Sequence, residues 1–190
     1  MQKIGITGGI GSGKSVVCAL LNIMGYPVFN ADKEAKRICN ESALLKTKLQ
    51  DAFGRELYQN GQLNKALFAE ILFKDKKQLS KATELIHPFV NDYFIQWAHK
   101  QSSDFVFVES AILFESSLLH YVDTTVTVSA PEDIRIRRVI KRDHVSELQI
   151  KERINNQLSE ATRLQKANFI LYNDGSQAII PQVEKLISLL

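Results

Sequence analysis

Five short apolar runs punctuate the chain, at 3–7, 27–29, 105–108, 124–128 and 169–171, and each reads as a short buried strand. Between them the apolar positions fall at helical spacing. Val16, Leu20, Leu21 and Met24 predict a helix over 15–24, ended by Gly25. Ala35, Ile38, Leu45 and Leu49 form the inward face of one polar helix over 32–50. Residues 51–62 carry Gly54 and the pair Asn60-Gly61, so they read as a loop or turn region. Helices follow over 65–73 and 76–101, the second interrupted near His87-Pro88. The spacing predicts further helices over 132–141 and 147–166, and a last one that runs to the C-terminus.

Unbroken apolar strands alternating with helices indicate an α/β fold, a five-stranded parallel sheet covered on both faces. The stretch 33–101 contains no expected strand and is too long for a simple crossover, so it reads as a helical substrate-binding insertion. The length of 190 residues suits one domain that carries such an insertion.

Composition narrows the function little. A net charge of +3, from 24 basic and 21 acidic side chains, gives no argument for nucleic acid or a membrane as partner. Cys18 and Cys39 make neither a metal spacing nor a disulfide framework, and both read as small core residues. The start of the chain lacks the pattern of a signal peptide, and no apolar run approaches the ~20 residues needed to span a bilayer. A soluble, cytoplasmic protein is the expectation.

One motif changes the picture. Gly8-Gly9-Ile10-Gly11-Ser12-Gly13-Lys14-Ser15 satisfies G-x-x-x-x-G-K-[ST] at every fixed position, after an expected strand and before an expected helix. Its glycines let the backbone turn N–H groups toward a phosphate, at a helix start where the macrodipole also favours an anion. Gly8, Gly11, Ser12, Gly13, Lys14, Ser15 and Val16 are therefore the candidate ATP site. Lys14 supplies charge to the β- and γ-phosphates and Ser15 a hydroxyl to Mg²⁺. The base-reading N-K-x-D of a GTPase is missing, since Asn64-Lys65 continues into Ala66-Leu67. Asp51-Ala52-Phe53-Gly54 spells D-x-x-G, but in a loop after a helix instead of at a strand end. A compact small-molecule kinase fits better than a switch or a motor.

Beyond the loop, several blocks resemble the dephospho-CoA kinase family. They are Thr7 to Ser15, Asn30-Ala31-Asp32 with Arg37, Gly61-Gln62-Leu63-Asn64, Leu85-Ile86-His87-Pro88 and Ile112-Leu113-Phe114-Glu115. Arg138 with Arg142-Asp143, Arg153 with Gln157, and Asn173-Asp174-Gly175 continue the set in the family's order and spacing. The resemblance implies transfer of the ATP γ-phosphate to the ribose 3′-hydroxyl of dephospho-CoA. It also implies an adenylate-kinase-like P-loop kinase fold with a core (1–32, 102–131 and 165–190), a CoA-binding helical insertion (33–101) and a lid (132–164). The competing readings are another small-molecule kinase, acting on a nucleoside or nucleotide, and a non-enzymatic nucleotide sensor.

Asp32 lies just past the second strand, where ligands of open α/β sheets bind, and can take the substrate's hydroxyl proton; it can equally cap a helix. Glu109 ends the third strand and reads as a contact to Mg²⁺ or substrate, or as a plain capping or salt-bridge group. Arg135, Arg138 and Arg142 share one arc of a helix, either a set that closes over ATP or a solvated face. By the resemblance, Arg138 and Arg142 are the nucleotide-binding pair, Arg142 also catalytic with Lys14 and Asp32, while Arg135 falls where the family often has Gln. His87 and Lys65 are implied substrate contacts, though a histidine before proline also marks a helix break. Lys65 stands where the family prefers Arg, Asn30 and Glu109 where it has Asp, and Ala111 where it has Pro. Asn173 is a candidate for the adenine side of the site, and Asn-Asp-Gly is also a turn.

Overall fold

The computed structural model describes the backbone of all 190 residues and every side chain except those of Phe73, Lys74 and Lys76. The chain divides into two compact units, one formed by residues 1–30 with 100–190, the other by residues 31–99.

In the first unit, β1 (Gln2–Thr7), β2 (Val28–Asn30), β5 (Phe105–Glu109), β6 (Thr124–Ser129) and β7 (Phe169–Tyr172) form one sheet in the order β2-β5-β1-β6-β7. All its pairs are parallel; Ile4 lies opposite Phe107 and Thr124, and Asn30 opposite Glu109. Ile4, Ile6, Phe107, Val126, Val128 and Leu171 bury against Val17 and Leu21 of α1 (Lys14–Ile23) and Val183 and Leu186 of α9 (Ile179–Leu189). Burying such side chains stabilises the unit by roughly 1.5–3 kcal/mol each relative to exposure. This core fixes the carboxyl ends of the central strands, from which the glycine loop departs.

The expected helix over 147–166 is two helices, α7 (Glu147–Asn155) and α8 (Glu160–Lys166). Ser159 explains the break, because its hydroxyl accepts from the Thr162 N–H and starts α8 afresh. Ser146 and Gln149 begin α7 as a reciprocal capping box. Ahead of them runs α6 (Glu132–Asp143), whose Ile136 and Val139 form a small separate cluster with Ile150 and Ile10.

The second unit holds α2 (Ala31–Glu41), α3 (Ala43–Phe53), α4 (Lys65–Lys74) and α5 (Lys76–His99). Here three expectations are corrected. The helix over 32–50 breaks at Ser42, whose hydroxyl accepts from Leu45 N–H and caps α3. The insertion is not strandless: β3 (Tyr58–Gln59) and β4 (Gln62–Leu63) pair as a hairpin. Asn60 and Gly61 at φ 49° and 76° make the left-handed two-residue turn that Asn-Gly favours. Finally, α5 runs unbroken through Pro88. An interior proline costs about 3 kcal/mol locally, and the packing of α5 on α2, α3 and α4 through Ala82, Val90, Phe94 and Ala98 offsets it.

Candidate active site

Residues 8–13 join β1 to α1, and the way this loop is braced decides what it can hold. Gly13, at φ 99°, occupies the position before α1, and no side chain caps the helix there. A Cβ on Gly13 would overlap the amide nitrogen of Asn173, which donates to Ser12 O at 2.9 Å. Asn173 thus ties the end of the loop to the strand end of β7, a bracing contact on the loop backbone. Ile10 N–H donates to Gln157 Oε1 at 2.9 Å, and Arg138 Nη1 reaches Gly11 O at 3.5 Å. The first turn of α1 carries no acidic residue, so its positive end is left for an external anion.

Lys14 folds back over this loop, its ammonium donating to Gly8 O at 2.8 Å and Gly9 O at 3.4 Å. Ser15 and Val16, next along, are exposed. Ser12 is fully buried, with its hydroxyl unpartnered beside Gly8.

Glu109 lies at the carboxyl end of β5 and accepts from Asn30 Nδ2 at 2.7 Å. The pairing makes physical sense of two departures noted in the sequence. A carboxylate at position 30 would set like charges face to face, whereas the amide donates. The Cys18 thiol is pushed up from its ordinary range, first by burial and then by the charge of Glu109 and a hydrogen bond to it, with Lys14 opposing. Cys18 is therefore an inert neighbour of Glu109 rather than a nucleophile.

The arginine arc on α6 is neither a solvated face nor one uniform set. Arg135 is 2% exposed, Arg138 half-buried, and Arg142 extends outward, held bidentately by Asp143 at 2.7 and 3.0 Å. Only the first two meet the glycine loop. A Cβ on Gly9 would overlap Arg135 Nη1 and come within 2.8 Å of Nη2 of Arg163 on α8. Arg163 escaped the sequence reading, and it too is 2% exposed. Its Nη2 bonds Glu160 Oε2 at 2.8 Å, and its Nη1 donates to Leu158 O. Glu160 is itself fixed by Ser129 Oγ at 2.6 Å. Arg135 Nε and Nη1 and Arg163 Nε are buried without a hydrogen-bond partner. Leaving such donors unmade costs about 1–3 kcal/mol each, more for charged groups.

In the helical unit, Asp32 is exposed within the first turn of α2, one residue past the helix's first position. Lys65 is exposed at the start of α4 and, with Lys36, borders a groove of about 380 Å³. Ala35, Cys39, Leu63, Phe68, Leu72 and Ile86 give that groove an apolar wall. Ile86, rather than His87, contributes to the lining among the described residues.

His87 is half-buried on α5, and desolvation holds it below the ordinary imidazole range. Its folded pKa lies below its unfolded value, so the unfolded chain takes up the proton first. The resulting stability is complete above pH ~6.5 and is lost as pH falls below that value. His87→Gln should accordingly narrow the drop in Tm between pH 7 and pH 5, measured by circular dichroism melts. An unchanged drop would remove His87 as its source.

A helix start left uncapped, with a lysine folded over glycines at the carboxyl end of the central strand of a parallel sheet, suits a polyphosphate, and on this fold it marks a P-loop kinase. The chain belongs to the dephospho-CoA kinase family. The family model described as CoaE, dephospho-CoA kinase, matches residues 2–178. The chain is 43% identical over 189 residues to a Bacteroides fragilis protein named dephospho-CoA kinase, with 99% of this chain and 92% of the relative covered. Among solved structures, TT1252 from Thermus thermophilus matches with a TM-score of 0.85 at 31% identity, covering 99% of this chain and 95% of that one. Dephospho-CoA kinase from Campylobacter jejuni matches at 0.71 and 27% identity, covering 99% and 96%. No described helix is long and apolar enough to cross a membrane.

Proposed function

We propose that this chain transfers the γ-phosphoryl group of ATP to the ribose 3′-hydroxyl of dephospho-CoA, the last step of coenzyme A synthesis. The observation that carries the reading is the uncapped start of α1 beneath Lys14, in a chain of this family. The backbone of Gly8, Gly11, Ser12 and Gly13 cradles the phosphates, with Ser15 and Val16 continuing the helix start. Lys14 leaves its carbonyl partners for the β- and γ-phosphate oxygens. Arg138 joins from α6, Arg142 exchanges Asp143 for phosphate, and Asn173 lies toward the base.

In the transfer, Asp32 receives the proton of the 3′-hydroxyl as the O3′–Pγ bond forms. The bond from Pγ to the bridging β–γ oxygen breaks, and ADP leaves. Glu109 and its partner Asn30 end the neighbouring strands β5 and β2, and Glu109 acts toward the substrate. Mg²⁺ takes most of its ligands from water and phosphate, so the exposed Ser15 hydroxyl is a sufficient protein share; when bound, it neutralises charge on the phosphates. The apolar groove of the helical unit suits the pantetheine arm, with Lys65 as a point charge for the diphosphate and His87 as a further substrate contact.

The test is a competition among dephospho-CoA, adenosine, AMP and CMP with ATP and Mg²⁺, product position being read by NMR. Dephospho-CoA should be used at least ~10²-fold better in kcat/KM, because its remote arms supply binding energy that positions the hydroxyl. A preference for AMP or CMP would make the protein a nucleotide kinase instead.

A further inference from the structure

Three positive groups crowd one peptide of the glycine loop. Lys14 Nζ donates to the carbonyls of Gly8 and Gly9, while the guanidinium groups of Arg135 and Arg163 lie so close to Gly9 that a Cβ there would displace them. The anionic partners of the two arginines fall short of their charge. Glu160 engages Arg163, but its other oxygen is taken by Ser129. Glu132 stands 3.8 Å from Arg135 and is 55% exposed. Three buried N–H donors, Arg135 Nε and Nη1 and Arg163 Nε, have no partner. Two guanidiniums held out of water, side by side and under-bonded, are costly unless further acceptors meet them. They are matched by a multiply charged oxyanion that enters with acceptors of its own.

We propose that Arg135 and Arg163 form a twin-guanidinium clamp for the terminal phosphoryl group of the nucleotide. The clamp makes this site prefer a triphosphate over a diphosphate. The inference rests on the reading of the loop as the ATP site and adds two contact residues to it. The position follows from Lys14. A P-loop lysine reaches the β- and γ-phosphates, and here it shares the Gly9 peptide with both arginines. The β-phosphate lies in the cradle at the start of α1, so the group beyond it, toward Gly9, is the γ-phosphoryl. ADP lacks that group and leaves the clamp's donors unmade. On transfer, the phosphoryl group moves out of the clamp with its bond to the acceptor oxygen.

The roles separate by comparing ligands. Arg135→Gln and Arg163→Gln keep a planar amide but remove the charge and the fork; Arg135→Lys and Arg163→Lys keep the charge alone. Calorimetry on the whole chain with Mg²⁺ would measure affinity for ADP and for the non-hydrolysable β,γ-imido analogue of ATP, with apo Tm recorded beside it. The expected result is a loss of roughly 10–100-fold for the triphosphate analogue in each Gln variant, from the loss of hydrogen bonds to a charged group. ADP affinity should change less than about twofold, with the Lys variants between. Apo Tm should hold or rise in Arg135→Gln, which relieves an under-bonded like-charge contact, and fall in Arg163→Gln, which gives up the Glu160 ion pair and the bond to Leu158 O.

Equal weakening of both nucleotides, or none, overturns the clamp and leaves the arginines as props for Gly9 while the kinase reading stands. A fall in apo Tm with an unchanged affinity ratio has the same meaning. Should the Gln variants not fold, the same ratio measured on the Lys variants decides. A wild-type chain that binds neither nucleotide would sink both the clamp and the ATP site.

Discussion

Replacing Lys14 with Ala is expected to lower kcat by roughly 10³-fold or more, the order seen when a preorganised donor to developing charge is removed. The ammonium contacts two loop carbonyls, and its stem is half-buried. Its loss removes about one net hydrogen bond, ~1 kcal/mol, which shifts Tm by only about 2–4 °C for a chain of this size. Stability and activity therefore separate widely. Lys14→Arg should not rescue, because a planar fork cannot occupy the point position that an ammonium takes over the Gly8 and Gly9 carbonyls. Steady-state kinetics with ATP beside a thermal melt checks both halves. Near-normal turnover in Lys14→Ala would withdraw the phosphate-loop assignment.

The contrast between Lys14 and the arginines shows what a sequence carries openly. Lys14 is legible because its chemistry is local: glycines before it and a helix after it state the site within eight consecutive positions. The five strands of the sheet were legible for the same reason, each being a short run of apolar or β-branched residues. Arg163 had no such signal, since its partner Gly9 is brought to it only by the packing of α8 beside β6. Arg135 did carry one. It stands one turn before Val139, a core position of the same helix, so helical spacing alone places it on the inward side. The arc drawn through Arg138 and Arg142 hid that relation, and only its first two members reach the loop.

The missed breaks have a different cause. Ser42 and Ser159 are compatible with a helix interior and a cap alike, and their neighbours' apolar periodicity runs on across them. What decides is that each hydroxyl finds an N–H three residues on. Pro88 errs in the other direction. Its local rule is strong, yet three helices packed along α5 outweigh it. The hairpin at Asn60-Gly61 was visible as a turn, but strands of two residues on either side carry too few positions for any alternation to register.

Asp32→Asn is the sharper test of chemistry, because it changes charge and almost nothing else. The side chain is exposed in the first turn of α2, which begins at Ala31, so Asp32 stands inside the helix rather than at its cap. Asn is nearly isosteric; at an exposed first-turn site the lost interaction with the helix dipole is worth roughly 0.3–1 kcal/mol. A fall in Tm of more than about 4 °C would thus return Asp32 to a structural role. If Asp32 receives the hydroxyl proton, kcat should drop by about 10²–10⁴-fold, while the affinity for ATP stays within about twofold. Pre-steady-state turnover on the two proteins isolates the effect, since the loss must appear in the phosphoryl-transfer step and not in product release. A variant that keeps most of its kcat would assign the proton to another group, and Glu109, already hydrogen-bonded to Asn30 at the end of the neighbouring strand, is the next carboxylate to test.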